Sequence, residues 1–440
     1  MPGSSSPGDR GSCEEIVVVA LSPIRWLHAR PHRSDGPAAL HAEFDANDFH
    51  PALKTDLLIL QPTPFCNLDC DYCYLPDRNV KARMSLETAA LAARRLTRDD
   101  LVGDNLTVVW HAGEPLVMGP AFYDAAINAI SEALPPYCEV SHSIQTNATL
   151  IDGAWCDLFE RHGMHVGVSV DGPAQLHDAH RQTRSGKGTH RLVERGMRLL
   201  AKRRIAFHAI AVVTDLTLNQ PDAFYDFFME NAVTELGCNF DEAEGVHARS
   251  SLADQEASHA AFLARLMERW AETAGAVRIR EFERSYRSIM HALPTYEWQG
   301  RSFPQNAQVT PFAIVSVAWD GGFSTFSPEL LGQRSTEFGD FLLGNVHTGG
   351  FIASAGSSRF RQLWNAVLQG TDACARSCSH FNYCGGGAPA NKLYENGRLE
   401  SAETLYCRTM VKRPFDLVLN RLETELEFLH QKVSAGRHAE

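Results

Sequence analysis

No apolar run in this sequence is long enough to cross a bilayer, so no membrane partner is expected. The start, MPGSSSPGDRGS, has no hydrophobic stretch of the secretory kind and reads as a flexible tail. Basic residues are in deficit: the net charge is −12, which argues against a nucleic-acid partner. The 19 histidines contain no H-E-x-x-H pair, which removes the commonest zinc-hydrolase signature. SGKGTH at 185–190 lacks the G-x-x-x-x-G-K-[ST] phosphate loop and does not follow a strand. With no secretory signal on a 440-residue chain, the eleven cysteines read as cytoplasmic thiols, not as a disulfide framework.

What is present is a β/α rhythm. Apolar runs at 57–61, 106–110, 139–144, 165–170, 206–213 and 234–241 alternate with amphipathic, helix-length runs. Ser85 is a suitable N-cap for the first helix, and Gly163 a suitable stop for a later one. Six such units in a row predict an α/β fold: a partial (β/α)6 barrel of the TIM type, open because two units are missing. Its active site belongs at the carboxyl ends of the strands. Further helices are expected at 252–274, 280–292 and from Phe415 onward. A hairpin is expected in FAIVSVAWDGGFSTF, turning at Asp320-Gly321-Gly322.

The cysteines are unevenly placed. Cys66, Cys70 and Cys73 form C-x3-C-x2-C in the loop after the first strand. Cys374, Cys378, Cys384 and Cys407 form a second set of four. Cys13, Cys138, Cys156 and Cys238 are scattered and read as structural. Three thiols are one short of a closed zinc site and one short of full ligation of a [4Fe–4S] cluster. Either the fourth position is left for a non-protein ligand, or a remote residue completes a zinc site, or the thiols are unrelated.

This loop, after the first strand of a partial barrel, resembles that of the radical S-adenosylmethionine (SAM) enzymes. The resemblance implies a [4Fe–4S] cluster on Cys66, Cys70 and Cys73, with SAM at the open iron, generating a radical that removes hydrogen from an unactivated C–H bond. HAGEP at 111–115 resembles the family's GGE segment, with Ala112 in place of the first glycine. Gly113 would let backbone approach the ligand, and Glu114 would accept from the SAM amino group. QTNATL supplies Asn147. SVDGP at 169–173 resembles the SxDGP of the peptide-modifying enzymes, so Ser169 and Asp171 are assigned to the ribose hydroxyls. Arg181 is assigned to the SAM carboxylate, the alternative being an ordinary surface arginine.

The second cysteine set resembles the auxiliary iron–sulfur region called SPASM, which usually carries two clusters. Here Ser327 and Ala388 stand where that pattern has cysteine. One auxiliary [4Fe–4S] cluster is therefore expected, on Cys374, Cys378, Cys384 and Cys407, with zinc as the alternative. The implied domains are an N-terminal tail and extension at 1–55, the barrel with bridging helices at 56–300, and a SPASM-like domain with a C-terminal helix at 301–440. No leader-recognition module is expected in 1–55.

LQPTPFCNLDCDYCYLPDR, FSTFSPELLG and CGGGAPANKLYENG together resemble the cyclophane-forming maturases of glycine-rich-repeat peptides. The resemblance implies an oxidoreductase that abstracts a β-hydrogen and joins an aromatic ring carbon to a nearby β-carbon of a ribosomally made precursor peptide. An electron donor such as flavodoxin or ferredoxin is implied as a partner. Asp241, Glu242 and Glu244 follow the sixth strand and are candidates for the base that removes the ring proton. Thioether formation, sulfatase-type maturation and a non-enzymatic iron–sulfur protein are the competing readings. The last has no use for a SAM pocket.

Overall fold

The computed structural model describes residues 51–437, apart from 52, 292, 299 and 300. Most of the expected extension at 1–55, with Cys13, lies outside the described residues. The six predicted strands are all present: β1 (Thr55–Leu60), β2 (Val102–Trp110), β3 (Glu139–Thr146), β4 (His165–Ser169), β5 (Phe207–Val213) and β6 (Glu235–Phe240). They pair in parallel in chain order, so each crossover places a helix on the sheet's outer face. Five such helices are α1 (Leu86–Arg98), α2 (Pro120–Ala133), α3 (Gly153–His162), α4 (His190–Arg203) and α5 (Pro221–Glu230). Ser85 caps α1 by accepting from Thr88 N–H at 3.0 Å, and Gly163 ends α3 in the left-handed conformation at φ 57°.

The sheet does not stop at the six units. The two-residue strand β7 (Arg278–Ile279) is added beside β6. On the other edge the predicted hairpin is formed by β10 (Ile314–Val317) and β11 (Gly322–Thr325), with Gly321 at φ 88° in its turn. This hairpin belongs to the main sheet: β10 pairs in parallel with β1, from Leu57↔Ile314 to Leu60↔Val317. The short β12 (Gly344–Asn345) follows β11. The physical reason lies in β1 and β10. Leu58, Leu60, Val315 and Val317 are fully buried, so neither strand could leave a row of backbone N–H and C=O groups unpaired. The chain leaving β11 brings Glu329 to the cavity at the carboxyl ends of the strands.

Between the two regions stand β8 (Thr295–Trp298) and β9 (Arg301–Pro304), a separate two-stranded ribbon. The helical runs expected there are α6 (Glu256–Glu272) and α7 (Arg280–Met290). The C-terminal region adds α8 (Ser358–Ser377), α9 (Pro389–Asn396) and the closing helix α10 (Arg413–Arg437), which packs on α7. Cys156 and Cys238 are buried core residues, and Cys138 is packed against the core at partial exposure, as the structural reading expects. Among the described residues no helix is long and apolar enough to cross a membrane.

Candidate active site

A cavity of about 340 Å³ opens at the carboxyl ends of β1–β6. Cys66, Cys70 and Cys73 line it together with Gly113, Glu114, Asn147, Ser169 and Arg181. Asp241, Glu242 and Glu244 line it as well. The fold thus brings together every residue assigned to the barrel site except Asp171.

The cysteine loop is held by its own backbone and by arginines. Leu68 N–H points to Cys66 Sγ at 3.5 Å, and Arg78 donates to the Cys70 carbonyl at 3.0 Å. Arg184 donates to the Cys66 carbonyl through Nε and Nη2, at 3.0 and 2.8 Å. Arg184 immediately precedes SGKGTH, so that region braces the loop. Burial pushes the Cys66 thiol up to about 12 and the Cys70 thiol up to about 11, and the Glu114 carboxylate adds to the effect at Cys66. Such thiols hold their protons until a cation displaces them.

Glu114 is 1% exposed. Its Oε1 accepts from Leu116 N–H at 2.9 Å and from Thr146 Oγ1 at 2.7 Å, and Oε2 accepts from Asn147 N–H at 2.8 Å. No cation is paired with it among the described residues, and burial pushes it up to about 7. A buried carboxylate facing a cavity without a counter-charge is suited to an incoming ammonium. Asn147 spans the site, donating to Asn67 Oδ1 at 2.9 Å with its Nδ2 also 3.9 Å from Cys66 Sγ. Ser169 Oγ accepts from Gln145 Nε2 at 2.9 Å.

Two assignments change. Asp171 is 1% exposed and lies behind the cavity wall. Its Oδ1 accepts from Arg181 Nη2 at 3.0 Å and Val212 N–H at 2.9 Å. Its Oδ2 accepts from Arg181 Nε at 2.9 Å and Tyr72 Oη at 2.6 Å. With both oxygens doubly occupied, Asp171 has no acceptor left for a ribose hydroxyl. It aims Arg181 instead, and the pair explains why Arg181 is a buried cavity residue and not a surface one. Burial alone would raise Asp171, but the Arg181 charge and these bonds hold it below the usual carboxylate range. Gly113 also has a different reason. At φ 58°, a Cβ there would lie 2.5 Å from the Thr63 carbonyl oxygen and 2.6 Å from that of Phe65. The close approach is to the cysteine loop's own backbone.

Among the carboxyls after β6, Asp241 accepts from Ser251 N–H at 2.6 Å and lies 2.8 Å from His247 Nε2. Glu242 accepts from Asn391 Nδ2. Burial pushes Glu242 up to about 8 and Glu244 well above its ordinary value, with neighbouring carboxylates adding to both. Sequence reasoning missed Glu329, also raised by burial, which the β11 connection brings to the same wall. It also missed Asn391 and Tyr406 of the cavity lining. Glu329 and Asn391 fall within FSTFSPELLG and CGGGAPANKLYENG, but nothing local shows that these segments reach the barrel cavity.

The second thiol set surrounds its own small cavity of about 40 Å³, lined by Cys374, Cys378, Cys384 and Cys407. Cys374 lies in the last turn of α8 and Cys378 is its C-cap, so the x3 spacing is one helical turn. Burial pushes Cys384 up to about 11. Burial also raises Cys378, but the hydrogen bonds from His380 outweigh it and hold the thiol below its ordinary value. Among the described residues no three His, Cys, Asp or Glu side chains converge on a point that would hold a single metal ion. Ser327 is fully buried, accepting from Ala390 N–H at 3.2 Å and donating to Gln308 Oε1 at 2.9 Å. Ala388 is buried as well. Serine and alanine thus fill the two positions where the two-cluster pattern has cysteine.

Comparison with known proteins agrees with this geometry. An uncharacterized protein of Synechocystis sp. is 38% identical over 87% of this chain and 95% of its own. A serine-type anaerobic sulfatase-maturating enzyme of Bacteroides thetaiotaomicron is 24% identical over 82% and 89%. The structure of anSMEcpe with bound AdoMet and Cp18Cys peptide superposes with a TM-score of 0.65 at 22% identity, covering 85% of this chain and 99% of that one. The radical SAM superfamily model matches residues 60–228, from the end of β1 into α5. Proteins of that superfamily bind a [4Fe–4S] cluster and SAM, and the three-thiol loop with the unpaired Glu114 carboxylate suits both. The chain belongs to the radical SAM superfamily.

Proposed function

We propose that this protein is a radical SAM maturase of a ribosomally made precursor peptide, and that it forms a cyclophane between an aromatic side chain and the β-carbon of a nearby residue. The observation that carries the reading is the cavity itself. Its lining combines the three thiols and the unpaired Glu114 with several carboxyls of raised proton affinity. Cys66, Cys70 and Cys73 would hold the cluster that, with SAM, supplies a hydrogen-abstracting radical. Cys374, Cys378, Cys384 and Cys407 would hold an auxiliary cluster able to accept an electron, and the filled positions at Ser327 and Ala388 support a single one.

The chain's own residues supply the rest. Glu114 receives the ammonium of SAM, and Arg181 receives its carboxylate while Asp171 holds the guanidinium in place. Ser169 serves the ribose. Glu242, with its affinity near working pH, is the best matched to take a ring proton, with Glu244 and Glu329 beside it. An external donor such as flavodoxin or ferredoxin completes the electron supply. Sulfatase-type maturation is the second reading, favoured by the name of the Bacteroides relative.

Coexpression with the precursor peptide encoded nearby tests the first reading. The product should be lighter by two hydrogens per crosslink, and fragmentation should fail between the joined residues. Deuterium on the β-carbon of the aliphatic partner should appear in 5′-deoxyadenosine. Transfer from the α-carbon would point to thioether chemistry. An unmodified precursor, with modification of a serine-type sulfatase segment instead, would replace the cyclophane reading by the second.

A further inference from the structure

Lys392 is an anomaly of placement. It is 2% exposed, although lysine is among the residues least often fully buried. It lies in the first turns of α9, where the helix dipole disfavours a cation. Its ammonium hydrogen-bonds the Cys374 thiol. Two glycines make room. A Cβ on Gly370 would lie 3.0 Å from Lys392 Nζ. A Cβ on Gly387 would lie 3.6 Å from Cys407 Sγ and 3.7 Å from Lys392 Cε. Lys392 thus contacts Cys374, and its Cε and Cys407 Sγ flank the same space beside Gly387. Lys412, which lines the four-thiol cavity, is already paired with Glu403 at 2.8 Å.

We propose that Lys392 is the buried counter-ion of the four-thiol site and raises the reduction potential of the auxiliary cluster held there. This rests on the reading that the four thiols hold a [4Fe–4S] cluster. Four thiolates give such a cluster a net negative charge, and taking up one electron deepens it. In a site with little water a fixed positive charge at hydrogen-bond range offsets that penalty. The lysine in turn obtains the anion that a buried ammonium requires. Lys392 is thus a positioning residue for electron uptake and touches no substrate.

The test uses the full-length chain, reconstituted anaerobically, in the parent and in Lys392→Gln and Lys392→Arg. Iron is counted, and a dithionite titration is followed by electron paramagnetic resonance with and without SAM. The signal that SAM leaves unchanged belongs to the auxiliary cluster. In Lys392→Gln, with iron retained, that signal should move to lower potential by at least tenfold in the reduction equilibrium, about 59 mV for one electron. Lys392→Arg should stay near the parent. A parent with no SAM-insensitive cluster would remove the cluster reading and this proposal together. Two clusters with an unmoved potential in Lys392→Gln would overturn the role of Lys392 alone. If Lys392→Gln does not load iron, melting of iron-free Lys392→Met decides. Stability equal to or above that of the iron-free parent supports a charge that needs its cluster. A clear loss of stability marks a merely structural lysine and overturns the proposal.

Discussion

Replacing Glu114 by glutamine should flatten the pH dependence of stability in the iron- and SAM-free protein. The carboxyl rises from an ordinary 4.5 to about 7 on folding, mainly through burial. Between those two pH values the native chain keeps a proton that the unfolded chain has released, so stability falls as pH rises. At 1.36 kcal/mol per pKa unit, the loss is about 3 kcal/mol by pH 8. Glutamine cannot ionise and escapes it. Its amide oxygen still accepts from Leu116 N–H and Thr146 Oγ1, but its amide nitrogen faces Asn147 N–H, a pH-independent penalty of about 1–3 kcal/mol. Glu114→Gln should therefore be less stable than the parent at pH 5 and should regain about 2.5 kcal/mol relative to it by pH 8. Urea melts of both proteins at the two pH values measure this directly, and other titrating groups cancel in the difference. A constant difference between the two proteins would refute the assignment of a raised affinity to Glu114. At pH 8 the same variant should bind SAM about 10- to 100-fold more weakly, the worth of one charge-assisted hydrogen bond.

Ala112→Gly should stabilise the protein by about 1 kcal/mol in thermal melts, because Ala112 adopts φ 69° where glycine is unstrained. Gly113→Ala should instead displace the cysteine loop, read as loss of iron from the first site while the second keeps its own. Asp171→Asn should cost about 3–5 kcal/mol in denaturant melts by leaving Arg181 buried without its anion, and the double variant Asp171→Leu with Arg181→Met should cost less than that. The reconstituted protein should hold about eight irons, and replacing Cys66, Cys70 and Cys73 by alanine should leave about four. Zinc in the second site would refute the auxiliary cluster.

The barrel was legible because its signals are local. Short apolar runs, the Ser85 cap and the Gly163 stop each act within a few residues, so β1–β6 and their helices follow from the chain alone. The thiol spacings were legible for the same reason: one short loop and one helical turn carry most of the ligands. Tertiary structure decided the contacts between segments far apart in the chain. Asp171 reads as a polar residue at a strand tip, yet Tyr72, Arg181 and Val212 converge on it from three other segments and leave it no free acceptor. Docking of β10 against β1 brings Glu329 to the acidic wall, across more than 80 residues from Glu242 and Glu244. Burial of Lys392 against Cys374 depends on how α9 packs on the end of α8, since neither segment alone shows that the ammonium lacks water. Desolvation and non-local pairing are properties of the packed molecule, and they set the charges with which this site works.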